Sequence, residues 1–94
     1  LLSYSPASQK KLHSFIDERL DNLMTRIRIA LPHHSDRDFA LIAYLVIGLD
    51  AKTISLLLSI SSGTVYTKKN RLRKEIMELQ SEEDRNFFLG CLAR

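Results

Sequence analysis

The side chains best suited to contact a polyanion are concentrated in one stretch, residues 62–79. Of the eight basic residues between positions 51 and 94, five lie between Lys68 and Lys74, interspersed with or preceded by Tyr, Thr and Asn side chains. Cations contact phosphate oxygens, whereas amides, hydroxyls and guanidinium groups also hydrogen-bond to base edges. This local mixture is typical of a nucleic-acid-binding surface.

A helical period sorts these residues onto two faces. At about 100° per residue, Val65, Leu72, Ile76 and Leu79 form one narrow apolar stripe that predicts a helix packed on a core. Gly63, which lacks a side chain, lies on the opposite side and allows a close backbone approach. An ordinary solvated basic helix is the alternative interpretation. The polar residues of that side, which we call the reading face, are Tyr66, Thr67, Asn70, Arg71 and Lys74.

The elements before this helix favour the binding interpretation. Residues 51–58 predict a short apolar helix, residues 59–61 a tight turn, and residues 62–79 the basic helix. This is the helix-turn-helix pattern, whose second helix enters the DNA major groove.

The same residues resemble the LuxR/GerE-type DNA-binding domain of bacterial transcription regulators, over about residues 35–79. Ser35, Arg37 and Asp38 stand at that family's Thr, Arg and Glu. In-register matches follow at Gly48, Asp50, Lys52, Ile54, Leu58, Ile60, Ser61, Thr64, Val65, Leu72 and Ile76. The departures are Thr53 for Glu, Ser55 for Ala, Tyr66 for Lys, Lys68 for His and Glu75 for Lys.

The resemblance implies sequence-specific binding of double-stranded DNA by a homodimer. In the family, the positions of Tyr66, Thr67 and Asn70 approach bases, and Asn70 is suited to pair with adenine. The expected phosphate contacts are Lys52, Ser61, Ser62, Thr64 and Lys68. The family resemblance also implies that the chain is the end of a longer Bacteroidetes-type regulator whose upstream part holds the sensor. In some such regulators the upstream part contains helical repeats and a membrane segment.

The remaining pattern predicts an all-α fold of about five helices, with residues 1–34 as an N-terminal helix and linker and residues 35–94 as the helix-turn-helix domain. Residues 1–5 are expected to be frayed, with Ser5 capping a long helix from Pro6 to about Ala30. Its stripe at Leu12, Ile16, Leu20, Leu23, Ile27 and Leu31 either covers the domain or forms a coiled-coil seam with a second chain. We favour the first arrangement, because three heptads are marginal for an independent coiled coil.

Two further helices complete the expected fold. The helix from Asp36 to about Ile47, capped by Ser35, is apolar on nearly every side, so it must be buried on more than one face. Gly48 should end it and Asp50 should cap the next helix. After a Ser81 cap, Phe87 and Phe88 either pack on their own core or give a weak dimer contact.

Other chemistry is poorly represented. The chain of 94 residues has one cysteine, Cys91, so an internal disulfide is excluded. A single cysteine suits a reducing cytoplasm, and we expect Cys91 to pack as a small apolar group. His33 and His34 are interpreted as exposed linker residues, because adjacent positions rarely converge on one ion. No phosphate loop, metal-ligand spacing or catalytic triad is recognisable, so we expect neither an enzyme nor a cofactor.

Two alternative functions remain open from the sequence. A helix-turn-helix fold can serve as a protein-interaction or dimerisation module, although such a module has no need of the basic cluster. A sigma-factor-like region would contact promoter DNA and RNA polymerase together, and binding of polymerase would distinguish it.

Overall fold

The computed structural model describes residues 4–92, which form six α-helices and no strand. The all-α class is confirmed, although there are six helices where about five were expected. The start of the chain that was expected to fray lies mostly outside the described residues. The helices are α1 (Pro6–Arg19), α2 (Leu23–Ala30), α3 (Asp36–Val46), α4 (Ala51–Leu58), α5 (Ser62–Met77) and α6 (Glu82–Leu92).

The predicted side-chain caps start the helices. Ser5, Ser35 and Ser81 each accept a hydrogen bond from the backbone N–H three residues later, at 3.1–3.2 Å. Asp50 does the same for α4 at 2.8 Å. Each cap satisfies one of the backbone donors that a helix start leaves unpaired. Gly48, with φ of +90°, follows α3 in the left-handed conformation that the sequence predicts.

The N-terminal segment forms two helices where the apolar stripe predicts one. Asp21 and Asn22 adopt left-handed conformations, with φ of 52° and 59°, and interrupt the helix. The Asp17 carboxylate then accepts hydrogen bonds from the Met24 N–H at 2.6 Å and from the Thr25 hydroxyl at 2.7 Å. The prediction of one continuous helix of about seven turns is wrong, because this carboxylate satisfies donors at the start of a new helix.

Helix α3 is the centre of the core. All eight residues from Phe39 to Val46 are buried, and α3 contacts α1, α2, α4 and α6. Gln9 donates a 2.8 Å hydrogen bond to the Tyr44 hydroxyl and so joins α1 to α3 inside this core. The apolar stripe of the N-terminal segment is used within its own chain, through the buried residues Leu12, Ile16, Leu23, Met24, Ile27 and Leu31.

Helices α4 and α5 and the turn between them form where the sequence predicts them. Helix α4 has the expected bounds, and α5 ends at Met77, two residues before the expected end. Ser59 ends α4 in a left-handed conformation, with φ of 55°, and the Ser61 hydroxyl caps α5 by accepting from the Thr64 N–H at 3.0 Å. The Arg37 guanidinium donates to the Leu58 carbonyl and thereby satisfies an acceptor at the end of α4.

Helix α6 favours core packing over a dimer contact for Phe88. Phe88 is only 1% exposed, so it is a core residue of its own chain and offers no surface to a second subunit. Phe87 is half-buried, with the Arg26 guanidinium 4.0 Å above its ring. Cys91 is buried beside them in the core, as expected for a small apolar group. Across residues 4–92, no helix combines the length and the apolar character needed to cross a bilayer.

Candidate nucleic-acid interface

Helix α5 presents the reading face to solvent. Tyr66, Thr67, Asn70, Arg71 and Lys74 are all exposed, and Tyr66 retains 58% of its accessible surface. The opposite side of α5 is fixed to the core through its buried residues Val65, Leu72 and Ile76. The predicted orientation of the helix is therefore confirmed.

The spacing on this face produces two parallel rows. Residues four apart are neighbours along a helix, so Tyr66, Asn70 and Lys74 form one row. Thr67 and Arg71 form the next. A helix of 16 residues is about 24 Å long, which exceeds the major-groove width of about 12 Å, so side chains from successive turns can reach bases and phosphates together.

Most cations of α5 are unpaired. Within residues 4–92, no carboxylate forms an ion pair with Lys69, Arg71, Arg73 or Lys74. On α4, Lys52 is likewise exposed and without an ion-pair partner among these residues. Unpaired cations on one side of a small domain produce a local positive potential that attracts a polyanion.

The hydroxyl groups expected to contact phosphates differ in availability. The hydroxyl groups of Ser61 and Thr64 already share a 2.8 Å hydrogen bond at the start of α5, in addition to the cap, so both are engaged within the helix start. Ser62 is exposed at the first helical position, where backbone N–H groups also favour an anion. Thr67 donates its hydroxyl hydrogen to the Gly63 carbonyl at 3.0 Å, which leaves the oxygen as an acceptor.

Packing within this chain does not require glycine at position 63. A Cβ built at this position meets only the Ser61 hydroxyl oxygen, at 3.8 Å, which is an ordinary contact. The fold therefore has room for a side chain here. The exposed backbone at Gly63, beside the reading face, remains open to a close approach, as its lack of a side chain predicts.

Lys68 occupies a different position from the one expected of a phosphate contact. Its ammonium lies 3.1 Å from the Asp38 carboxylate, and the side chain is only 37% exposed. The ion pair ties α5 to α3 and reduces the charge that Lys68 can offer to a phosphate group. Burial acts to raise the pKa of Asp38, but hydrogen bonds from His34 and Lys68 outweigh it and hold that pKa below its usual value.

The adjacent histidines belong to the same group of contacts. The Nε2 atoms of His33 and His34 each lie 2.8 Å from the same oxygen of Glu75, and His34 Nδ1 lies 3.0 Å from Asp38. We call these four residues the histidine–carboxylate cluster. The interpretation of both histidines as exposed linker residues is wrong for His34, whose side chain is 13% exposed, because α5 places Glu75 over it.

Charge stabilises this cluster. Burial acts to lower the pKa of His34, yet hydrogen bonds to Asp38 and Glu75 outweigh burial and raise it. Burial likewise acts to raise the pKa of Glu75, but hydrogen bonds from both histidines lower it. The sequence carried one signal for this contact: Glu75 stands where the resembled family has Lys.

No family model, curated protein or solved structure matches this chain.

Proposed function

We propose that this chain is a LuxR/GerE-type domain that binds specific sites in double-stranded DNA and regulates transcription. The observation that carries the proposal is the exposed reading face of α5, which follows a three-residue turn and lies opposite a buried stripe. A helix held in this way can enter the major groove without disturbing its own core.

Charge supports DNA as the partner. Lys69, Arg71, Arg73 and Lys74 on α5 and Lys52 on α4 form no ion pair among the described residues, so each can replace a counterion at a phosphate. A protein-docking helix has no need for so many unpaired cations. A domain that uses them on DNA should bind more weakly as salt increases.

Side-chain chemistry supports base recognition on the same face. Asn70 offers the paired donor and acceptor that match adenine in the major groove, and Arg71 offers the bidentate donors that match guanine. Both are exposed and lie near the centre of α5. Tyr66 adds a large exposed ring with a hydroxyl one turn earlier.

We also propose that two copies bind one DNA site. A single module of this size contacts few base pairs, and pairs of such domains commonly read two half-sites. Burial of Phe88 removes it from the candidate dimer surfaces.

Selection of bound duplexes from a random DNA pool tests the proposal. The expected result is an enriched motif whose affinity decreases steeply between low and moderate salt. The variant Arg71→Ala should lose enrichment, whereas Lys11→Ala, which removes an exposed cation from α1, should retain it. Binding without any enriched motif, or enrichment equal in both variants, would overturn base recognition by α5.

A further inference from the structure

The histidine–carboxylate cluster lies beside the reading face but is not part of it. His33 and His34 precede α3, whereas Glu75 lies in the fourth turn of α5. One ligand atom from each of these three residues lies within 4.8 Å of the others. Two imidazoles directed at one carboxylate oxygen form an arrangement that DNA binding does not require.

A second carboxylate orients one of the rings. Asp38 lies 3.0 Å from His34 Nδ1 and is itself held by Lys68 at 3.1 Å. This contact places a proton on Nδ1, so loss of the proton that Nε2 shares with Glu75 leaves the Nε2 lone pair directed toward that carboxylate. Metal-ligating histidines commonly have such a carboxylate behind them, because it fixes the tautomer and increases ligand basicity.

We propose that His33, His34 and Glu75 bind one divalent transition-metal ion of the zinc class, with Asp38 supporting His34. Two imidazoles and one carboxylate are ligands that zinc accepts in tetrahedral sites, with bonds of about 2.0–2.2 Å. Magnesium and calcium prefer oxygen ligands alone, so this set selects against them. On binding, any proton on the Nε2 atoms is released to solvent, and Glu75 binds as the carboxylate.

Exposure decides how the ion enters and what completes its coordination. The His33 side chain is 65% exposed, whereas His34 and Glu75 are 13% and 24% exposed. The site is therefore shielded from solvent at His34 and Glu75 and open to solvent at His33, where a water molecule can supply the fourth ligand.

The bound ion would join the connection before α3 to the second half of α5. These segments are 41 residues apart at His34 and Glu75, so the ion closes a long loop. An ion that binds only the folded chain increases its stability according to concentration and affinity. Because Glu75 is outside the two rows of the reading face, the ion acts on the stability of the fold and not on those rows.

Zinc titration of the chelator-treated full chain tests this inference without DNA. Calorimetry should show one zinc ion per chain, and zinc should raise the melting temperature, whereas equal magnesium should change neither. The variants His33→Ala and Glu75→Gln should each reduce zinc affinity at least tenfold. His33→Ala removes an exposed side chain, and Glu75→Gln preserves shape, so both are expected to fold.

The third histidine supplies a matched control. His13 lies in α1 outside the cluster, and His13→Ala should retain stoichiometric zinc binding. Equal zinc affinity in the His33→Ala variant and the unmodified chain would overturn the assignment, as would absence of stoichiometric binding at micromolar zinc. These measurements do not depend on whether the chain binds DNA.

Discussion

Asn70 is the residue on which the proposed base recognition depends most directly. It is exposed near the middle of α5, and the buried contacts of this helix are made by Val65, Leu72 and Ile76 on the other side. Its removal should therefore affect a partner more than the fold.

We predict that Asn70→Ala weakens binding to the selected site by about 1–3 kcal/mol and hardly changes binding to random DNA. Fluorescence anisotropy on both duplexes measures the difference, and circular dichroism checks the fold. Asn86→Ala, which removes an exposed amide from α6, is the matched control. Equal losses on both duplexes would contradict a base contact.

Two lysines six residues apart in α5 should behave differently. Lys74 is exposed and has no ion-pair partner among the described residues, whereas Lys68 is paired with Asp38. Lys74→Ala should weaken binding on all sequences and reduce the slope of log affinity against log salt by about 1. Lys68→Ala should change that slope less. A larger change for Lys68 would mean that DNA displaces Asp38.

The two lysines show that a single sequence predicts the exposure of a side chain better than its contacts with distant residues. The exposure of Tyr66, Asn70 and Lys74 was predictable, because it follows from a helical period within one segment. The pairing of Lys68 was not, because Asp38 lies 30 residues earlier and only the tertiary fold brings the two charges together. The contact between His34 and Glu75 was missed for the same reason.

At the scale of helices, α6 has a structural role that its sequence left open. Phe88 is 1% exposed in a core that α3 and α5 share with α6. Its neighbour Phe87 is half-buried beneath Arg26. One face of the helix therefore anchors the end of the described chain.

We expect Phe88→Ala to lower the free energy of unfolding by about 3–5 kcal/mol, because it removes a buried ring and leaves a cavity. Phe87→Ala should cost less, since part of its ring is already in water. Urea denaturation of both variants measures the two costs. A fully stable Phe88→Ala variant that loses dimerisation would instead support the dimer contact that the sequence left open for this residue.

Helix starts were more predictable than helix continuity. Ser5, Ser35, Asp50 and Ser81 cap their helices as their spacing indicates, because capping is a local interaction. The break between α1 and α2 escaped prediction, since the apolar stripe continues through it. Asp17 reaches seven residues ahead to the Met24 N–H, and no helical spacing rule anticipates that bond.

For the whole molecule, the main question is which apolar surface is available to a second copy. The stripe of α1 and α2 is buried on α3, so the described chain has already used the surface that a coiled-coil seam would need. Ile29, by contrast, is 75% exposed.

Ile16→Lys should destabilise the single chain, because it places an unpaired charge where the isoleucine is 2% exposed. A loss of at least about 2 kcal/mol is expected. For a domain of this size each kcal/mol lowers the melting temperature by about 4–8 °C. Ile29→Lys is the surface control and should melt like the unmodified chain. Sedimentation of a stable Ile16→Lys variant as a monomer, beside a dimeric unmodified chain, would instead identify this stripe as the seam.

The central position of α3 also determines how its backbone exchanges hydrogen with solvent. Because α1, α2, α4 and α6 all pack on α3, no single neighbouring helix can detach and expose the whole of it. Amide protons of α3 should therefore exchange only through global opening, whereas those near the break between α1 and α2 exchange through local fluctuations. The slowest deuterium uptake in the chain would then report its total stability under native conditions, with no denaturant and no extrapolation.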